Sequence, residues 1–218
     1  MPLRPDLRRQ AHDFAQRIND LLNRTVTHGV RVHALLREDG GIGWVGYQTD
    51  ARHPYPGSGI PLALGRRPPR AFLHVMHTLV LDEEQRYLTA EQSSYGLYLA
   101  ADLSGCIFHY DYIRRPDNPY PAAHVQVEGD SPDLDELFGR VGRTGRLGEL
   151  HFPVGGRRFR PSLEEIVTLL VVEGLAEGRR GWEGAVEEHW EWYRRVQLKA
   201  AVRREPEAAR EALAEVGE

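Results

Sequence analysis

Three side chains able to exchange protons stand close together in the stretch CIFHYDYIRRPDNPYPAAHVQV, residues 106–127: His109, Asp111 and His124. The stretch reads as strand, Pro-rich connection, strand. Strict alternation puts Phe108, Tyr110 and Tyr112 on one side of the first strand and His109 and Asp111 on the other. On the second strand Val125 and Val127 take one side, while His124, Gln126 and Glu128 take the other. If the strands pair, the aromatic and Val faces form core and the polar faces line up. An imidazole within reach of a carboxylate and a second imidazole can do general acid–base work, because histidine titrates near neutral pH. The same set could hold a divalent metal, with His109 and Asp111 two apart on one strand and His124 across. An antiparallel sheet with one wet face also carries such residues without any chemistry. The spacing names no metal and no other cofactor, and none is expected.

Other chemistry-bearing residues are more scattered. His74 and His77 lie three apart on one predicted strand, so they point to opposite faces and read as structural histidines. His151, in GELHFPVGG, could approach the first group if its strand joins the same sheet edge. Arginines gather in two places. Arg140, Arg143 and Arg146 lie in a Gly-rich loop, and Arg157, Arg158 and Arg160 precede a helix. Guanidinium groups on such a background suit phosphate, which each can bind bidentately. Arg114 and Arg115, directly after the His109 strand, could add to that surface. The Gly/Arg loop lacks the Gly-Lys-Ser/Thr ending of a phosphate-binding P-loop. A third group, Trp190, Trp192 and Tyr193, lies on a helix and reads as core or as anchors for a partner.

The elements that must position these residues follow from periodicity. Leu7, Ala11, Phe14, Ile18 and Leu21 predict a helix over residues 6–27. A hairpin over 30–47 turns at Glu38-Asp39-Gly40-Gly41. Residues 50–70 carry many Pro and Gly and read as a long loop. Ala71–Leu81 is an apolar strand; a polar strand over 86–92, a turn at Ser93–Gly96 and a strand over 97–101 lead to the His109 strand. A short helix around Leu134, Leu137 and Phe138 and a short strand at 150–154 come next. Ser162-Leu163-Glu164-Glu165 is a capping box opening an apolar helix that Gly174 ends. A long helix over 181–203 is broken at Glu205-Pro206, and a charged, Ala-rich helix closes the chain. The class expected is α+β: a mainly antiparallel sheet of about six or more strands packed on one apolar helix, with N- and C-terminal flanking helices. Residues 1–174 read as this domain and 175–218 as a helical extension.

Composition bounds the rest. The 218 residues are enough to bury a core without metals or disulfides, and a net charge of −4 gives no global basic field of the kind that drives nucleic-acid binding. Cys106 is the only cysteine, which excludes an internal disulfide and a cysteine-based zinc site; it reads as a small buried hydrophobe. No apolar run approaches a membrane span and the first residues lack a signal-peptide core, so a cytoplasmic, membrane-free location is expected.

The order Tyr110-Asp111, a Pro- and Asn-containing connection, His124-Val125 and the capped Pro161–Glu165 helix resembles the TumE-type toxins of bacterial toxin–antitoxin modules. Those proteins show an aromatic-Tyr-Asp-Asn strand, a His-bearing second strand and a terminal Ser-Leu-Glu helix. Tyr112 stands where that pattern has Asn, and residues 129–156 are inserted before the helix; the likeness covers residues 86–173. The resemblance implies an antitoxin partner and an RNA target. Two functional classes follow. In the first, a toxin-like or ribonuclease-like protein uses His109 and His124 as acid and base, Asp111 to orient an imidazole, and Arg114, Arg115, Arg157 and Arg158 to hold phosphate. In the second, a non-enzymatic module recruits a protein partner or a second copy of itself through Trp190, Trp192 and Tyr193.

Overall fold

The computed structural model describes residues 6–64, 68–142, 144–155 and 160–217. Asp6 opens the first helix, its carboxylate accepting the Arg8 N–H at 2.9 Å, and α1 (Leu7–Thr25) buries Leu7, Ala11, Ala15, Ile18, Leu21 and Leu22 along one stripe. That spacing of three and four residues keeps the apolar side chains on a single face of the helix. Two asparagines then tie the helix to the next strand. Asn19 both donates to Val32 O (3.0 Å) and accepts from Val32 N (2.7 Å), and Asn23 does the same with Val30.

Among the described residues eight strands form one antiparallel sheet: β1 (Val32–Leu36), β2 (Gly43–Tyr47), β3 (Ile60–Pro61), β4 (Phe72–Leu81), β5 (Leu88–Tyr98), β6 (Cys106–Ile113), β7 (Ala123–Val127) and β8 (Phe152–Pro153). Their spatial order is β1-β2-β4-β5-β6-β7-β8, with β3 pairing β4 beyond the end of β2. Five α-helices are described: α1, α2 (Pro132–Arg140), α3 (Leu163–Val172), α4 (Trp182–Arg204) and α5 (Pro206–Glu215). The chain is α+β with flanking helices at both ends, as the pattern of elements implies.

Helix α3 starts at the expected capping box. Ser162 Oγ accepts from Glu165 N at 3.3 Å, and the Glu165 carboxylate accepts from Ser162 N at 2.7 Å. Its Leu163, Ile166, Val167 and Leu170 join the α1 stripe and Leu73, Val75, Leu79, Tyr95, Leu97 and Phe108 of the sheet in one hydrophobic cluster. Burying each such aliphatic side chain contributes about 1.5–3 kcal/mol. Helix α1 is therefore part of the cover of the sheet, beside α3.

Two local expectations are corrected. Ser93–Gly96 is not a turn: β5 runs unbroken for 11 residues through it. Both neighbours, β4 and β6, pair along this segment, and ladder hydrogen bonds on both sides override the turn tendency of Ser and Gly. Within the 50–70 loop, Ile60 and Pro61 form the short strand β3, with Ile60 fully buried. Among the described residues no helix is long and apolar enough to cross a membrane.

Candidate active site on the polar sheet face

Register builds the site. Along β6, Phe108, Tyr110 and Tyr112 face the helices, and His109 and Asp111 take the opposite face, as alternation requires. Two rows of Cα partners then cross that face. One runs His74, Gly96, His109, Gln126 from β4 to β7, and the next runs Met76, Ser94, Asp111, His124, Pro153 from β4 to β8. Three strands, β4, β6 and β7, thus bring His74, His109, Asp111 and His124 onto one surface.

The hydrogen bonds fix how these groups are presented. Gln126 Nε2 donates to Gly148 O at 2.7 Å, which turns its Oε1 toward His109 Nε2 at 2.9 Å. An amide oxygen only accepts, so His109 carries its proton on Nε2 and leaves the Nδ1 lone pair free in the neutral ring. Asp111 Oδ2 lies 3.5 Å from the same Nε2. His124 Nδ1 lies 3.0 Å from Pro121 O; a carbonyl likewise only accepts, so His124 is protonated on Nδ1 and its basic nitrogen is Nε2. Asp111 is accordingly flanked by two imidazoles, one through a side-chain contact and one through strand register. The side chains of His109 and Asp111 are 23% and 31% exposed, while His124 is buried.

Cys106 belongs to this face and is half-buried, contrary to its reading as a small buried hydrophobe. A bulge shifts the register of β5 and β6: Leu97 pairs with Phe108 but Tyr98 pairs with Cys106, leaving Ile107 without a partner on β5. The extra residue re-aims the side chain before it. The thiol Sγ comes to 3.6 Å from His109 Nδ1, and it also bonds Tyr98. Thiol, imidazole and carboxamide thus stand in the order that an activated thiol nucleophile needs. Burial, however, pushes the Cys106 thiol up, and the Glu128 and Asp111 carboxylates push it further, so it stays protonated at neutral pH and lacks the electropositive setting of a resting thiolate.

Glycine is required at one position of the face. A Cβ at Gly96 would stand 2.7 Å from the Tyr98 ring, which folds over the gap between His74 and His109. Burial pushes the Tyr98 hydroxyl up to about 12. Burial also lowers His74, and its Nδ1 has no hydrogen-bond partner. His77, three residues on, is on the opposite face as expected. It packs edge-on against Phe14 (4.8 Å between ring centres), with Nε2 3.3 Å from the Tyr95 hydroxyl, and burial takes it down to about 3.

The edge strand β8 does join the sheet beside β7, and it brings His151 to the site. The His151 ring lies flat on Tyr120, 3.7 Å between centres and 7° between planes, and 4.7 Å from the His124 ring. Burial lowers His151 first, and the His124 charge lowers it further.

The arginines are not gathered on this face. Arg115 pairs with Glu83 at 3.2 Å on the surface, Arg140 with Glu136, and Arg146 with Glu149 at 3.7 Å. Arg114 starts the connection after β6 and is engaged in contacts of its own. Arg160 lies over the Tyr112 ring at 4.1 Å, on the helix side of the sheet. Arg143, Arg157 and Arg158 lie outside the described residues. Among the described residues no group of three or more His, Cys, Asp or Glu side chains is placed to hold a metal ion, so His109, Asp111 and His124 do not converge on one.

The aromatic helix is also resolved in detail. Trp192 lies under Arg17 of α1 (4.1 Å) and Trp190 under Arg194 (4.8 Å), and Tyr193 is turned inward far enough that burial raises its hydroxyl. None of the three is an exposed ring. Exposed apolar side chains on α4 come later, at Val196, Leu198 and Val202.

Gln126 as the group orienting His109, Cys106 on the polar face and His74 in its row carry no motif; only strand register and the bulge reveal them. Comparison with protein-family models, with curated proteins and with solved structures finds no match to this chain.

Proposed function

We propose that the chain is a toxin-like, ribonuclease-like protein that performs general acid–base catalysis on an RNA phosphodiester at the polar face of β6 and β7. The observation that carries this reading is Asp111 flanked by two imidazoles of defined tautomer, His109 at 3.5 Å and His124 on the paired strand. In such a site His124 Nε2 takes the proton of a ribose 2′-hydroxyl as its oxygen attacks phosphorus. Doubly protonated His109, held by Asp111 and Gln126, returns a proton to the departing 5′-oxygen. Arg114 and Arg115 follow directly after β6 and face the phosphate charge in this reading. The ion pair of Arg115 with Glu83 is at the surface and weak, so its guanidinium is available to an anion. Arg157 and Arg158, which lie outside the described residues, belong to the same proposed phosphate-holding set, and the resemblance to TumE-type toxins implies an antitoxin as partner.

Cleavage of a labelled single-stranded RNA by the purified protein tests this. His109→Ala and His124→Ala are each expected to lower the rate by about 10²–10⁴-fold with the fold intact by circular dichroism. Asp111→Asn is expected to lower it less, because it keeps the shape and removes the charge. Full activity in the His109→Ala/His124→Ala double variant, or no cleavage by the wild type, would sink the assignment.

A second reading, a surface for a protein partner or a second copy of the chain, is favoured by the far end of α4. Val196, Leu198 and Val202 are exposed there, and α5 has no buried residue. Pull-down with Leu198→Glu against wild type separates it from the catalytic reading, which that substitution leaves untouched.

A further inference from the structure

The ring pair at the rim of the polar face has no part in proton transfer, yet it is built as a rigid shelf. Tyr120 is 47% exposed although His151 covers one of its faces at 3.7 Å and 7°, so the exposed area belongs to the other face and the ring edge. The segment holding it is pinned from several sides. Pro116, Pro119 and Pro121 restrict the backbone, and Asn118 Oδ1 accepts the Tyr120 N–H at 3.1 Å. His124 holds Pro121 O, and Ile113 N donates to Ala122 O at 2.8 Å. His151 is anchored independently, by the Leu150 N to Leu147 O bond on one side and Val154 N to Ala123 O on the other. An open aromatic face held flat before any ligand arrives loses little entropy on stacking. Its position matters equally. His151 touches His124, and His124 is the register partner of Asp111, so the shelf ends where the proposed chemistry begins.

We propose that the Tyr120–His151 stack is a nucleobase platform, taking one unpaired base of a single-stranded RNA next to the phosphate attacked at His109 and His124. This inference rests on the ribonuclease-like reading for the identity of its ligand. Stacking suits this chain better than backbone tracking does. With a net charge of −4 there is no basic field to hold a phosphate chain, whereas every base offers a π-face to an aromatic ring irrespective of charge. The arrangement disfavours duplexes, whose bases are already stacked on one another.

Fluorescence anisotropy of a labelled short DNA oligonucleotide tests the platform without depending on cleavage, because the 2′-deoxy strand cannot be cut through a 2′-hydroxyl. Full-length wild type, Tyr120→Ala and Tyr120→Phe are compared, with a second oligonucleotide carrying abasic sites. The expected result is binding about tenfold weaker for Tyr120→Ala and within about twofold for Tyr120→Phe, which keeps the ring. The abasic strand is expected to bind wild type as weakly as the normal strand binds Tyr120→Ala. Equal binding of both strands by wild type, unchanged binding by Tyr120→Ala, or no binding by wild type overturns the platform. Failure of the acid–base reading looks different: RNA is left uncut, or is cut equally by the His109→Ala/His124→Ala double variant, while base-dependent DNA binding through Tyr120 persists.

Discussion

His77 shows what a single buried imidazole does to a fold's pH range. Its ring is enclosed by Phe14 and Tyr95, its Nδ1 has no partner, and burial takes it from 6.5 to about 3. The folded chain therefore holds His77 neutral while the unfolded chain protonates it below pH 6.5. Stability is full above pH 6.5 and falls as pH drops from there toward 3, because only the unfolded state gains the proton. Between pH 6.5 and pH 5 this one group is expected to cost about 2 kcal/mol, and His77→Phe is expected to flatten that part of the urea-midpoint profile. Equal pH slopes for wild type and variant would show that the proton is taken up elsewhere. At this scale the sequence is informative wherever alternation holds. His109, Asp111, His124 and Gln126 fall on the face their spacing implies, and His74 and His77 separate as three-residue spacing on a strand demands. It is silent where one residue is inserted: nothing in Cys106-Ile107-Phe108 marks Ile107 as the bulge that places the thiol beside His109.

Elements announced by local chemistry are the ones read correctly from the chain. The box Ser162–Glu165 satisfies two free amides at the start of α3, and the helix begins where the box stands. Ser162→Ala is expected to destabilise the protein by about 1 kcal/mol in chemical denaturation, with a larger effect in the double variant Ser162→Ala/Glu165→Ala. No change in the double variant would mean that packing of Leu163, Ile166 and Val167 alone sets the helix start. Elements decided by distant partners are harder. Ser93 to Gly96 has turn-forming composition, but two neighbouring strands claim its amides and carbonyls. Gly96 has its own reason there, since only a residue without Cβ leaves room for the Tyr98 ring. β3 is two residues long and is held by its pairing to β4, below the length at which any periodicity shows.

For the whole molecule, the first helix meets the long helix α4. His189 of α4 is buried with its Nε2 2.9 Å from Asp20 of α1, Arg24 bridges Asp20 and Glu188, and Arg17 covers Trp192. Arg179 adds a bond from its Nη1 to Asn23 O at 2.6 Å. The core helix α1 is thus clamped between the sheet and α4, while α5 buries nothing. The outcome expected in thermal melts is unequal. His189→Ala should cost about 1–3 kcal/mol by removing a buried ring and leaving a cavity between α1 and α4, whereas deletion of residues 206–217 should cost within about 0.5 kcal/mol. A large loss on deletion would show that α5 holds α4 in place. This long-range closure has no local signature in the sequence, because residues 20 and 189 lie 169 apart in the chain and only tertiary packing brings them together.

The bulge at Ile107 acts as a phase shifter. Downstream of it, Phe108 to Ile113 keep the beat that separates core from solvent; upstream, Cys106 is carried half a period onto the other side. The thiol owes its address to an inserted residue, not to its own place in the alternation. The same residues in an unbulged strand would put Ile107 on the polar face and turn the sulfur to the side of Phe108.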